Sequence, residues 1–324
     1  AEPDVRVGDG ISGLDGPAPS ISLPVALVRT ARPRQWVKNV LVLAAPGAAG
    51  VLTHRLPLER SALAFVLFCM AASATYFVND ALDADADRHH PTKCHRPIAA
   101  GALSPGTAIA VGVSAMAASI LIAVAAGRGR LAVVVAVYLG VTAAYSLWLK
   151  HQPIFDIATV AAGFVLRAIA GGVAAGVPLS NWFLIVASSG SMLMVSGKRY
   201  AESLALGEEG GHHRATLAAY SLGFLRYVRS VSSAIAMTAY FLWAFEKAGA
   251  SLPSSLATRP VHSGHGAIWF ELSVVPFALA ILRYVLLLES GQGGAPEEVV
   301  LGDRTLQLLG VALVAAFGIG LYLS

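Results

Sequence analysis

Nine long apolar stretches follow one another along the chain, at about positions 37–53, 61–80, 104–126, 131–149, 154–175, 182–199, 224–246, 267–288 and 305–323. A hydrocarbon core about 30 Å thick is crossed by roughly 20 residues of α-helix. Barrel strands would be about half as long and alternate in polarity. Inside lipid only a helix closes its own backbone hydrogen bonds segment by segment. The pattern therefore predicts an all-α polytopic membrane protein with nine transmembrane helices. The first stretch is the weakest, because Pro46 and Gly47 interrupt it, and a re-entrant or interfacial segment is its alternative. Composition agrees: 13% of the residues are charged, where a soluble domain has about a quarter.

The net charge of +4 does not point to nucleic acid, because the basic residues cluster at the ends of apolar stretches and not along one amphipathic face. Their distribution sets an orientation instead. With the N-terminus inside, one side collects Arg29, Arg32, Arg34, Lys38, Arg88, Lys93, Arg96, Lys150, Lys198, Arg199, Arg226, Arg229 and Arg304, among others. The opposite side collects only Arg55, Arg60, Arg128, Arg130, Lys247 and Arg259. Lysine and arginine concentrate in cytoplasmic loops, so the first side is expected to be cytoplasmic, in a multi-pass protein of the plasma (inner) membrane. Residues 1–28, rich in Gly, Pro, Ser and Asp at their start, read as a disordered cytoplasmic tail, and 29–324 as the membrane domain. Cys69 and Cys94 read as free thiols.

Chemistry is expected where the second span leaves the membrane, in the segment NDALDADAD at 79–87. At 100° per residue, Asn79, Asp80, Asp83 and Asp87 fall within an arc of about 100°, while Asp85 points away. Three carboxylates and an amide on one face repel one another unless a cation sits among them. Magnesium suits such a face, since it takes hard oxygen ligands and is usually held by one or two carboxylates plus substrate phosphates. A solvated acidic helix end is the bland alternative. The basic residues that follow at once, Arg88, Lys93 and Arg96, favour a metal-bound polyphosphate. His89, His90 and His95 lack the spacing of zinc motifs.

NDALDADAD with the following DRHHPTKCHRPIAAGALS resembles the NDxxDxxxD signature of the UbiA superfamily of intramembrane prenyltransferases. The resemblance covers nearly the whole chain from about position 29. It implies a nine-helix catalytic bundle, a magnesium cofactor bound through Asn79, Asp80, Asp83 and Asp87, and Asp80, Asp83 and Asp87 as catalytic residues.

Ordinary members of that superfamily carry a second acidic motif at the end of span six. Here the corresponding place reads SGKRYAE, 196–202, with Lys198, Arg199 and Tyr200 in place of an acidic pair and Glu202 retained. Lys198 and Glu202, four apart, could simply pair with each other. A basic head can also grip phosphate directly, without a metal. Together with RPRQWVKN at 32–39 and YSLWLK at 145–150, this departure resembles a branch of the superfamily serving cell-wall arabinan synthesis. In that branch the donor is 5-phosphoribosyl 1-diphosphate and the acceptor is decaprenyl (polyprenyl) phosphate.

That resemblance implies roles for further residues. Lys198, Arg199, Tyr200 and Glu202 are expected at a phosphate, Lys93 and Arg96 at the donor, Arg34 and Lys38 at the lipid headgroup or simply as cytoplasmic anchors, and Tyr145, Lys150 and Asp156 at the donor. Arg167 lies in mid-span, where a charge costs at least ~2.5 kcal/mol and normally faces a partner or cavity. It is expected to face inward, towards a carboxylate or a phosphate. Gly163, Gly171, Gly172 and Gly176 around it permit close helix approach, within one chain or between copies of a homo-oligomer. Two readings compete: a prenyltransferase that passes a prenyl group to an aromatic or lipophilic acceptor with the same aspartates, and a lipid-phosphate carrier.

Overall fold

With no water in the hydrocarbon to satisfy a peptide group, each segment must close its own hydrogen bonds, and in the computed structural model every described element is a helix. The structure describes residues 21–206, 215–248, 267–290 and 296–323. In chain order the α-helices are α1 (Leu23–Ala31), α2 (Ala44–Ala48), α3 (Arg55–Leu82), α4 (Ala84–Arg88), α5 (Pro105–Ala125), α6 (Gly129–Leu147), α7 (Phe155–Ala175), α8 (Asn181–Leu206), α9 (Ala215–Ala218), α10 (Leu222–Ala248), α11 (Ala267–Glu289), α12 (Pro296–Gly302) and α13 (Arg304–Leu323). Short 3₁₀ segments lie at Pro33–Leu43, Val51–Thr53, Lys93–His95 and Leu149–His151.

Seven helices among the described residues, α3, α5, α6, α7, α10, α11 and α13, are long and apolar enough to cross a membrane. The sixth expected span is present as α8, 26 residues long, but Ser188, Ser189, Ser191 and Ser196 lower its apolarity. The first expected span, 37–53, is corrected in kind. It begins at Pro33 as an 11-residue 3₁₀ helix and runs on into the five residues of α2. It stops before Gly50, whose φ is +71°. At rises of 2.0 and 1.5 Å per residue these two pieces reach about 30 Å, the thickness of a hydrocarbon core.

The boundary expected at residue 28 also moves. Residues 1–20 lie outside the described part, but Leu23–Ala31 is helical, with Pro24 in its first turn. Ala26 and Thr30 are buried, while Leu23, Val25 and Val28 remain exposed. An amphipathic helix of this kind suits the membrane interface.

The 3₁₀ span lies backbone to backbone on α7. A Cβ built on Gly171 would stand 1.7 Å from the Val42 carbonyl oxygen, so only glycine admits this approach. Gly112 does the same for α5 on α3, where a Cβ would meet the Ala74 carbonyl oxygen at 3.0 Å. Val42, Phe68, Leu131, Val135, Tyr138 and Ala170 then form a core shared by the first span, α3, α6 and α7. A second set, with Leu193, Tyr284, Leu287 and Leu288, joins α8 to α11. Because consecutive spans alternate in direction, the end of α3, the start of the 3₁₀ span, the end of α6, the start of α7, the end of α8, the start of α10 and the end of α11 fall at one end of the bundle. The clusters around Asp80, Asp156 and Glu289 described below lie there, whereas that around Arg167 lies in mid-span.

Candidate active site

The helix carrying the aspartates is interrupted once. Asp83 has φ −90° and ψ 4° between α3 and α4, yet the i to i−4 pattern runs on through Asp83 N to Asn79 O (2.9 Å) and Asp87 N to Asp83 O (2.8 Å). Asp80 and Asp87 are therefore carried to the same side and are 4% and 3% exposed. Asn79 is half-buried beside them, whereas Asp83 is exposed at the junction. Asp85 points to solvent and pairs with Arg88.

Three cations close on the two buried carboxylates. Arg96 Nη1 donates to Asp80 Oδ1 (3.1 Å) and to Asp87 Oδ2 (2.6 Å). Arg32 Nη2 donates to both Asp80 oxygens, at 2.6 and 2.8 Å. Lys93 Nζ stands 4.0 Å from Asp87 Oδ1. Arg32, on the basic side and at the head of the RPRQWVKN motif, carries no site role in the sequence reading. It links α1 to the 3₁₀ span with φ 53° and ψ 60°, a left-handed conformation that is uncommon outside glycine. Its guanidinium also lies over the Tyr76 ring, 4.7 Å from the centroid. The signal available in sequence was an arginine placed directly before Pro33, between two helical segments.

No three carboxylate, histidine or cysteine side chains converge as a ready metal site among the described residues. Of the four expected ligands, Asp80 and Asp87 are drawn together in the interior, Asn79 lies half-buried beside them and Asp83 is exposed at the helix junction. Asp80 and Asp87 still fit a magnesium ion. One atom, Arg96 Nη1, lies within about 3 Å of an oxygen of each, so a single cation can serve both. Two carboxylates plus substrate phosphates is the usual protein share of a magnesium shell.

A second cluster occupies the end of α8. Arg199 Nε and Nη2 form a two-pronged bond to Asp156 Oδ2 and Oδ1, at 2.8 and 3.0 Å. Tyr145 donates to Asp156 Oδ1 at 3.0 Å, and Arg199 Nη1 reaches Glu202 at 2.7 Å. Asp156 is fully buried and the Arg199 side chain 4% exposed. Arg199, Tyr145 and Asp156 are therefore engaged with one another across α6, α7 and α8, so Arg199, expected at a phosphate, is held here by protein partners. Lys198, its side chain 42% exposed, approaches Glu202 Oε1 to 3.9 Å. The chain approaches this cluster through Ile154, φ 71°, whose backbone N–H donates to the Tyr220 hydroxyl at 2.7 Å.

Tyr200 turns the other way, towards α10 and α11. Its hydroxyl donates to Glu289 Oε2 at 3.0 Å and accepts from Arg226 Nη2 at 3.2 Å. Arg229, buried, donates through Nη2 to Glu289 Oε1. Arg226, Arg229 and Glu289 were not singled out from sequence as site residues. The two arginines, three apart on one helix face, were the available sign.

Arg167 faces inward as expected but finds no carboxylate. It donates to Asn39 Oδ1 (2.7 Å), the Gly163 carbonyl (2.7 Å) and the Tyr138 hydroxyl (2.9 Å). Asn39 in turn donates to Cys69 Sγ at 3.2 Å. Arg167 therefore ties the 3₁₀ span to α6 and α7, and through Asn39 to α3. Trp36 Nε1 donates to Ser73 Oγ at 3.0 Å. Arg34 is exposed, Lys38 half-buried with a bond to Gln35 Oε1 (2.5 Å), and Lys150 half-buried, its carbonyl accepting from Thr216. At the far end of the bundle a cavity of about 860 Å³ is lined by apolar groups including Leu43, Phe183, Trp243, Phe317 and Leu321.

Residues 40–309 match the model of the UbiA prenyltransferase family. The chain is 44% identical over 308 residues to the decaprenyl-phosphate phosphoribosyltransferase of Corynebacterium glutamicum, covering 94% of this chain and 89% of that one. It is 42% identical over 310 residues to the enzyme of the same description from Mycolicibacterium smegmatis, covering 94% and 95%. Among solved structures it is similar to a UbiA homologue from Archaeoglobus fulgidus bound to GPP and Mg2+, with TM-score 0.66, 17% identity and coverage of 92% and 99%.

Proposed function

The chain belongs to the UbiA prenyltransferase family, and from that premise we propose that it transfers 5-phosphoribosyl from 5-phosphoribosyl 1-diphosphate to decaprenyl (polyprenyl) phosphate, releasing diphosphate. The observation that carries the reading is the pair Asp80 and Asp87, buried and ringed by Arg32, Arg96 and Lys93 at one end of a membrane bundle. The relatives named above support the choice of donor and acceptor.

Asp80 and Asp87, with Asn79 beside them and Asp83 at the mouth, would hold magnesium, which when bound supplies Lewis-acid neutralisation of the diphosphate. Arg32, Arg96 and Lys93 bring positive charge to the same point, where negative charge builds as the C1–oxygen bond breaks. The lipid phosphate oxygen is already anionic and needs no strong base to attack C1. Attack opposite the leaving group inverts the anomeric centre, and catalysis rests on holding the two anions in line. Lys198 and Lys38 stand where a phosphate could reach them, while the apolar cavity at the far end suits an isoprenoid tail. Lys198 and Arg199 in place of an acidic pair disfavour a second metal-bound diphosphate, and with it the prenyl-transfer alternative.

The distribution of lysine and arginine supports a cytoplasmic site. The test is incubation of purified protein with decaprenyl phosphate and donor labelled in the ribose. Labelled lipid should form with magnesium and disappear with a chelator, and Asp80→Asn should lower the rate at least about a hundredfold. Wild-type protein that forms no labelled lipid sinks the reading.

A further inference from the structure

Arg226 and Arg229 share one face in the first two turns of α10 and both lean on a single carboxylate, Glu289, the last residue of α11. Two guanidinium groups against one carboxylate leave a positive charge uncancelled. Arg229 is 1% exposed, and its Nε and Nη1 are buried without a hydrogen-bond partner. Buried polar groups are almost always satisfied, and a buried charge more so. The guanidinium carbon lies over the Tyr200 ring, 4.3 Å from the centroid, an attraction that helps to hold it in place. Arg226, its side chain 59% exposed, opens the pair to solvent. Glu289 is poorly placed as a permanent counter-charge, since it sits at a helix C-terminus, where a carboxylate is disfavoured.

We propose that Arg226 and Arg229 form a binding site for a phosphate monoester, with Glu289 as an internal anion that the phosphate displaces. A phosphate offers three acceptor oxygens to forked guanidinium donors, matching the donors that Glu289 leaves unused. Tyr200 sits between this pair and the Arg199 cluster, so the site lies on the same end of the bundle as Asp80 and Asp87. The assignment deepens the transfer reading and rests on it for the identity of the monoester. Both substrates there carry one besides the diphosphate: the 5-phosphate of the donor and the headgroup of the lipid. Arg199, engaged with Asp156, is not free to serve either.

The test is direct binding to purified protein in nanodiscs, without divalent metal, using ribose 5-phosphate and farnesyl phosphate as separate probes. One probe should bind the wild type, and the one that does names the source. Arg226→Gln, at an exposed side chain, should weaken that probe at least tenfold, and Glu289→Gln should tighten it several-fold. Binding by Arg226→Gln within twofold of the wild type, or no binding of either probe to the wild type, overturns the proposal. The readout does not depend on turnover. A wild type that binds the probe through Arg226 yet forms no labelled lipid would overturn the transfer reading and leave this site standing.

Discussion

Asp156→Asn separates two roles for Arg199. In the structure the Asp156 carboxylate takes three donors, Arg199 Nε at 2.8 Å, Arg199 Nη2 at 3.0 Å and the Tyr145 hydroxyl at 3.0 Å. The amide keeps the shape but removes the charge and turns an NH2 group on the guanidinium. Removing one partner of a buried pair costs roughly 3–5 kcal/mol, because the other charge is left uncompensated. Glu202 still reaches Arg199 Nη1, and its side chain is 30% exposed, so the expected loss is at the lower end, about 3 kcal/mol. That should be read as an earlier unfolding midpoint in denaturant titration of the purified protein in mixed micelles. The double variant D156L/R199M, which removes both charges and refills the space with apolar atoms, should recover most of the loss. Steady-state kinetics supplies the counter-test. If Asp156→Asn unfolds within ~1 kcal/mol of the wild type while Arg199→Lys raises the KM for a phosphate substrate more than tenfold, Arg199 is a ligand and the clamp is wrong.

Two further substitutions probe the first span, and a third, in α8, is their control. Gly171→Ala places a methyl group where the Val42 carbonyl lies at 1.7 Å, and should destabilise by roughly 1–3 kcal/mol or more. Gly190→Ala, in α8 with nothing within 4 Å, should be neutral or stabilising by up to ~1 kcal/mol in the same unfolding assay. Arg167→Lys cannot reproduce the three-way fork to Asn39, Gly163 and Tyr138. It should lower thermal stability, each lost charged hydrogen bond being worth about 1.5–3 kcal/mol, with the KM for both phosphate substrates unchanged. A raised KM without a stability loss would return Arg167 to the substrate.

The helical class and most of the spans were legible because apolar runs of about 20 residues admit few other folds. The face shared by Asp80 and Asp87 followed from the 100° repeat, which the hydrogen bonds across Asp83 preserve. Asp83 itself departs because it sits at the junction of two helices, where its side chain is exposed, and periodicity does not reveal such a break. The 3₁₀ winding of the first span escaped for a related reason: α and 3₁₀ segments draw on the same apolar residues. The partners of each cation were the least legible part. Sequence charge marks Arg32, Arg167, Arg199 and Arg226 alike, yet tertiary packing gives them, in turn, a candidate metal-site carboxylate, three neutral acceptors, a buried aspartate and a tyrosine beside Glu289.

The tight winding of the first span also makes it a ruler. Eleven residues wound as 3₁₀ are about 5.5 Å longer than the same residues wound as α-helix. One end is fixed against Gly171 through Val42, and the middle is tied by Asn39 to Arg167. Relaxing the part between Asn39 and Arg32 to α pitch would therefore draw its free end, Arg32, back by about 3.5 Å from Asp80. The reach of that arginine is set by backbone pitch more than by its own rotamer, so variants far down the span, with no contact to a phosphate, are expected to register at the aspartates.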